Sequence, residues 1–141
     1  MRAMDWAEAS QFLLAGRRTA TIATIGRDGH PHVVPVWFVL DGREVVFTTG
    51  SESIKGRALR RDPRLSICVD DDRPPFAYVR VDGVADLSED VGEMLPWATR
   101  IGARYMGEDQ AEAFGRRNAV AGELLVRVRP KRVVGQAAVA D

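Results

Sequence analysis

One stretch, residues 31–40, constrains this chain more than any other. From Pro31 through Val33, Val34, Val36, Trp37, Phe38 and Val39 to Leu40 it is apolar at nearly every position. A strand of that composition has no polar face to turn to water, so it must be covered on both sides. Turn chemistry brackets it. Gly26, Asp28 and Gly29 precede it, and the hairpin signal Asp41-Gly42 follows. Residues 19–25 and 44–49 are rich in β-formers, which predicts three strands in an antiparallel meander. In a chain of 141 residues, one covering layer is expected to be a barrel interior. The other is expected to be a ligand or a second subunit.

Pro35 lies inside that stretch. Proline lacks a ladder donor and belongs on an edge strand or at a bulge. A bulge would free backbone groups for a ligand, and both readings stay open on sequence alone.

The third strand runs into Gly50, Ser51 and Ser53, and a helix is predicted over 53–61, ended by Asp62-Pro63. Lys55 and Arg57 stand in its first turns. The helix macrodipole disfavours cations there unless an anion is present. Free amides at the helix start, together with a nearby cation, suit a phosphate. Thr48 and Thr49 could hydrogen-bond the same ligand, although threonine is common in strands anyway. Arg60 and Arg61, further along, read as a solvated basic face. Trp37, Phe76 and Tyr78 offer aromatic surface to a planar ligand, with core packing as the plainer reading. His30 and His32 have no cysteine or spaced carboxylate to complete a metal site.

The rest of the chain extends the same architecture. Asp5 and Glu8 have capping-box spacing and open a helix that stops near Gly16, with Trp6, Ala9, Phe12 and Leu13 on one face. Strands are predicted at 64–70 and 76–87, the second bent near Gly83. A helical region follows over 88–107, with Met94, Trp97, Ile101 and Tyr105 on one face and a break expected at Pro96. Another helix is predicted over 109–120, with Ala113 and Phe114 inward. A strand over 123–129 should end at Pro130, and 131–136 should add a last edge strand before a frayed tail. The expected fold is mainly β with short helices, an α+β single domain over 1–141. Its six to seven antiparallel strands should form a small closed or partly open barrel.

Composition enters by exclusion. Lys+Arg and Asp+Glu both number 20, so no global charge draws nucleic acid or an anionic membrane. No apolar run reaches the ~20 residues of a bilayer span, and the first residues carry no secretory signal. Cys68 is the one cysteine and reads as a small buried hydrophobe. These features point to the cytoplasm. No P-loop, G-x-G-x-x-G, G-x-S-x-G or H-E-x-x-H pattern occurs. A phosphate site with aromatic walls and no evident nucleophile fits a protein whose cofactor carries the chemistry.

The run from Ala20 to Leu87 resembles the pyridoxamine 5′-phosphate oxidase-like split β-barrel family. The carrying pieces are Thr21 to Thr24, Gly29 to Trp37, Val46 to Thr49, Ser53-x-Lys55-x-Arg57-x-Leu59-x-x-Asp62-Pro63, and Val81-x-Gly83-x-Ala85. Within that family the chain is similar to the short enzymes that use the deazaflavin coenzyme F420. The resemblance implies an antiparallel split β-barrel of the FMN/F420-binding type. It implies a homodimer with two cofactor sites at the subunit interface, and a hydride passed between the deazaflavin C5 and a conjugated small-molecule acceptor. It assigns the phosphate or acidic tail to Ser53, Lys55, Arg57 and Arg60, and the ring to Pro35, Val36, Trp37, Thr48 and Thr49. His32 joins the cofactor-facing set. Phe76, Ala77 and Tyr78 approach from the neighbouring strand of the same or the other subunit. FMN is the alternative cofactor, and a flavin reductase or a non-enzymatic flavin, F420 or haem binder the alternative function. Ile54 replaces the arginine that FMN-binding oxidases carry before the lysine, and His32-Val33-Val34 lacks their other arginine. Both departures favour F420. The long C-terminal extension that completes the vitamin B6 phosphate site has no counterpart, so that oxidase activity is not expected.

Overall fold

The computed structural model covers residues 1–141. It is built on eight strands in one antiparallel sheet. They are β1 (Arg2–Ala3), β2 (Ala20–Ile25), β3 (Pro31–Val36), β4 (Val39–Asp41), β5 (Glu44–Gly50), β6 (Arg64–Asp71), β7 (Ala77–Ser88) and β8 (Glu123–Ala137). Four helices accompany them: α1 (Trp6–Leu14), α2 (Ile54–Arg61), α3 (Val91–Met106) and α4 (Ala111–Asn118). The strand order is β3-β2-β6-β7-β8-β5-β4, with β1 added alongside β8. The two end strands do not pair, so the barrel is split rather than closed.

The apolar stretch 31–40 is two strands, not one. Its first part pairs with β2 and its second with β5, at opposite ends of the sheet. The chain leaves one ladder at Trp37 and enters the other at Val39. The backbone groups stranded between are taken up by α3. Phe38 N–H donates to Tyr105 Oη at 3.2 Å, and Phe38 C=O accepts from Arg104 at 2.8 Å. A buried backbone group left unpaired would cost about 1–3 kcal/mol, so these two contacts make the split affordable.

The main core gathers inward residues of β2, β3 and β5–β8 under α1 and α2, among them Ile22, Phe38, Phe47, Ile67 and Leu59. A second core lies on the other face, where Val39, Val46 and Leu125 pack on Met94, Ala98, Ile101 and Tyr105 of α3. The outer cover over β4 and β5 is therefore a helix of the same chain, where a ligand or second subunit was expected. Over β3 the outer face stays bare, and Val33 is 56% exposed.

Other differences have local causes. Pro35 sits on an edge strand, and the register shift lies elsewhere, where Lys131 of β8 is the extra residue opposite Asp82 and Gly83 of β7. Pro130 does not end a strand. Pairing with β5 stops at Val128, so at Pro130 only β7 is a neighbour, and the unpaired residue of the register shift, Lys131, comes next on the same strand. Residues 123–137 thus form one long central strand, and the expected edge strand is its continuation. Pro96 does not break α3. It lies near the helix start, where the carbonyl it would have bonded belongs to exposed Gly92. The helix begins at Val91, later than the expected 88, with Asp90 as its cap. Ala113 is exposed, and α4 instead buries Ala111 and Gly115. Phe76 precedes β7 with φ of 67° rather than opening it. The tail is tied down by Val139 N–H to Phe76 C=O at 3.0 Å and Ala140 N–H to Pro75 C=O at 2.9 Å. Glu8 does not complete the capping box. Its carboxylate grips Arg2 at 2.7 Å, while Asp5 alone caps α1.

Candidate functional site

Helix α2 begins as its sequence predicts. Ser53 is the N-cap: its hydroxyl accepts from Gly56 N–H at 3.0 Å and donates to Gly50 C=O at 2.7 Å. Thr49 Oγ1 lies 3.1 Å from the same oxygen. Gly56 makes this turn possible. A Cβ there would stand 2.2 Å from Gly50 O, so only a bare backbone lets the helix sit so close to the strand end. The first turn holds no acidic residue. The N–H groups of Ile54 and Lys55 are not used by the cap, and they remain at the positive end of the helix.

Beside this helix start runs a groove of about 540 Å³. Pro35, Val36 and Trp37 line one side, Thr48 and Thr49 the floor beside β5, and Lys55 the α2 end. Ile101, Met106, Phe114, Arg117, Asn118 and Glu123 complete it. Trp37 stacks on Tyr105 with ring centroids 5.0 Å apart and planes within 4°. Phe114 meets the same indole at 6.1 Å, tilted by 44°. Trp37 nonetheless keeps 37% of its surface exposed, so an apolar aromatic wall faces the groove.

Tyr105 holds that wall from behind. Its hydroxyl donates to Arg18 C=O at 2.7 Å while accepting from Phe38, and burial pushes its phenol pKa up. Arg104 next to it donates to Leu13 C=O at 2.8 Å and lies over the Phe38 ring at 4.6 Å. Burial lowers its pKa. The position of α4 is set by two glycines. A Cβ on Gly102 would come within 2.7 Å of Phe114 Cβ, and one on Gly115 within 2.1 Å of Thr99 Oγ1. This close approach brings Phe114 and Arg117 over the groove.

None of the ion pairs involves Lys55, Arg117 or Glu123. The groove therefore has a cation at each of two walls. Its one carboxyl group, Glu123, has a pKa raised by burial and drawn partly back by Lys55.

The residues expected at the site divide. Pro35, Val36, Trp37, Thr48, Thr49 and Lys55 converge on the groove. Ser53 lies under it as the cap. Arg57 points out from the exposed side of α2, and Arg60 pairs with Glu89. His32 is at the far end of β3, paired across the ladder with Thr24. His32 Nδ1 and Thr24 Oγ1 are both buried without a partner. Phe76 and Ala77 line a separate surface hollow by Pro74 and Pro75, and Tyr78 is half-buried on β7. None of these last residues reaches the groove within one chain. The lining residues that sequence reasoning missed come from α3, α4 and the start of β8. Ile101 was placed on an apolar helix face, but no pattern showed that α4 would pack on α3 and line the groove.

An open antiparallel barrel, split between its edge strands and flanked by a groove under α3 and α4, defines a split-barrel protein. The chain belongs to the pyridoxamine 5′-phosphate oxidase family, whose pattern matches residues 6–136. It is similar to the conserved hypothetical protein Rv2991 from Mycobacterium tuberculosis, at 28% identity over 96% of this chain and 86% of that one, with a TM-score of 0.84. It is also similar to an F420 reductase, at 27% identity over 87% and 94% of the two chains and a TM-score of 0.68. HutZ, the heme storage protein from Vibrio cholerae, shares the fold at 20% identity over 98% and 100%, with a TM-score of 0.73. The fold thus carries both redox and storage proteins, and the ligand has to be argued from the groove. No helix is long and apolar enough to cross a membrane.

Proposed function

We propose that this protein is an F420-dependent oxidoreductase acting on a conjugated small-molecule acceptor. The observation that carries the reading is the pairing, in one groove, of an aromatic wall at Trp37 with unpaired Lys55 at the amide-bearing start of α2. A planar ring with a phosphate-bearing chain matches both halves. Similarity to an F420 reductase supports the same ligand class. When bound, F420 supplies hydride chemistry at the C5 of its deazaflavin ring.

The chain's own residues bind and orient. Lys55 Nζ and the N–H groups of Ile54 and Lys55 hold the phosphate. Trp37, fixed by Tyr105, offers a face to the ring. Pro35 and Val36 exclude water from one edge, and the Thr48 hydroxyl is free to hydrogen-bond the other. Met106 and Phe114 close the side where an acceptor would lie against the ring. The protein's contribution is position and a dry surface.

The reading includes a homodimer. The bare outer face of β3, with Val33 and Pro35, and the 41% exposed Phe76 beside Tyr78 are apolar surfaces with no cover in one chain. A second copy seated there would bring Phe76, Ala77 and Tyr78 toward its partner's groove. Light scattering that returns a monomer at micromolar concentration would remove this part of the proposal.

The deciding experiment is a fluorescence titration with F420 and FMN side by side. F420 should bind more tightly, and Lys55→Ala should lose about 1.5–3 kcal/mol, roughly 10- to 150-fold in Kd. Equal F420 binding by Lys55→Ala would reject the phosphate placement, and preferential FMN binding would replace the cofactor.

A further inference from the structure

The groove contains a carboxyl group that a phosphate site would not be expected to hold. Glu123 opens β8 and pairs with Gly50. Its Oε1 lies 3.8 Å from the point where a Cβ on Gly50 would stand, and Ser53 N lies 3.9 Å from that same point. The carboxyl group is therefore beside the entry to α2. It accepts no hydrogen bond and joins no ion pair. The charged side chains lining the groove with it are Lys55 from α2 and Arg117 from α4. β3, β5 and α3 line it with uncharged residues.

Two anions in one half-buried site repel, and the repulsion favours protonating the weaker acid, which is the carboxyl when the ligand's anionic group is a phosphodiester with no second proton to bind. Resting on the reading of this groove as a phosphate site, we infer that Glu123 is a proton-coupled filter on the anion: docking of a phosphate-bearing ligand takes up one proton from solvent onto the Glu123 carboxylate. Burial already moves the carboxyl in that direction, against the pull of Lys55. The consequence is a specificity rule. As an ionised carboxylate, Glu123 weakens every ligand with a negative group at the α2 entry. As a neutral acid, it donates a hydrogen bond to the same group. Affinity then falls as pH rises above the carboxyl pKa of the free protein, by up to about tenfold per pH unit for one linked proton. The glutamine of Glu123→Gln has nearly the same shape and mimics the neutral form.

The test compares wild type with Glu123→Gln, using F420 and dimethyl phosphate, a diester that does not titrate in this range, as separate probes at about pH 6 and about pH 8. Titration calorimetry in two buffers of different ionisation enthalpy counts protons taken up. Comparing the two proteins with the same probe cancels the probe's own titration. The expected result has three parts. Wild type weakens at least about fivefold more than Glu123→Gln across that range. The variant binds more tightly than wild type at the higher pH. Wild type takes up about one proton more per ligand bound. Equal pH dependence and equal proton counts overturn the inference while leaving the F420 reading in place. Weaker binding by Glu123→Gln at the higher pH also overturns it, because the carboxylate would then be a ligand contact. If dimethyl phosphate shows the coupling and F420 does not bind, the filter stands and the F420 reading falls. Should Glu123→Gln fail to fold, the wild-type proton count decides alone, and a count that only matches the probe's own titration overturns the inference.

Discussion

Tyr105→Phe should loosen the point where the sheet splits. The substitution keeps the ring that stacks on Trp37 at 5.0 Å and removes only the hydroxyl. That oxygen serves Phe38 N–H at 3.2 Å and Arg18 C=O at 2.7 Å. Phe38 is fully buried, so its amide loses its partner without gaining water, at about 1–3 kcal/mol. Arg18 is half-buried, and its carbonyl can recover water, so it adds less, on the order of 0.5–1 kcal/mol. The total is about 1.5–4 kcal/mol, which for a chain of this length lowers Tm by roughly 5–14 °C. Thermal melts by circular dichroism give the shift. Hydrogen exchange at the Phe38 amide locates it, because that amide should exchange far faster in the variant. A Tm shift under about 2 °C, with Phe38 still protected, would refute the claim that α3 supplies the missing ladder partner.

Other outcomes follow from single residues. Gly56→Ala would stabilise an ordinary helix by about 0.5–1 kcal/mol, but here the added Cβ meets Gly50 O at 2.2 Å. A loss of about 2 kcal/mol or more is expected in urea unfolding. Thr24→Val removes a hydroxyl that is buried without a partner. It should be neutral or stabilising by up to about 1 kcal/mol, and a clear loss in chemical denaturation would mean that the hydroxyl is satisfied in solution. Asp62 and Asp71 are held at about 2 by hydrogen bonds from Arg64 and Arg73 respectively. Both pKa values are lowered on folding, so their contribution is complete above the ordinary carboxylate range and fades as pH falls towards about 2. Carboxyl carbon shifts should show both midpoints well below those of the exposed aspartates.

Much of the architecture is legible because it rests on local chemistry. Asp5 and Ser53 cap helices where they stand in the chain. Asp41-Gly42 turns a hairpin, and Gly83 marks the irregular point of β7. Pro96 and Pro130 were the misleading signals. Both were read as breaks, but the penalty depends on neighbours that a sequence does not show. Pro96 falls where the carbonyl it would have bonded is exposed. Pro130 falls past the end of the β5 ladder.

The candidate site divides in the same way. Sequence by itself determined the half made by one continuous run, from Thr48 through the cap to Lys55, because strand end, turn and helix start are consecutive and their backbone groups point where local geometry sends them. It also marked residues 31–40 as apolar at nearly every position, although only the part from Val39 onward is covered on its outer face within one chain. It could not determine what does the covering. That depended on α3 lying over β4 and β5, on Tyr105 and Arg104 reaching Phe38, and on Gly102 and Gly115 admitting α4 beside the groove. Those are contacts between segments far apart in the chain, set by which surfaces fit once the sheet has curled. Glu123 shows the difference most plainly. In the sequence it is one acidic residue before a strand, and only the pairing of β8 with β5 sets its carboxyl group beside Lys55.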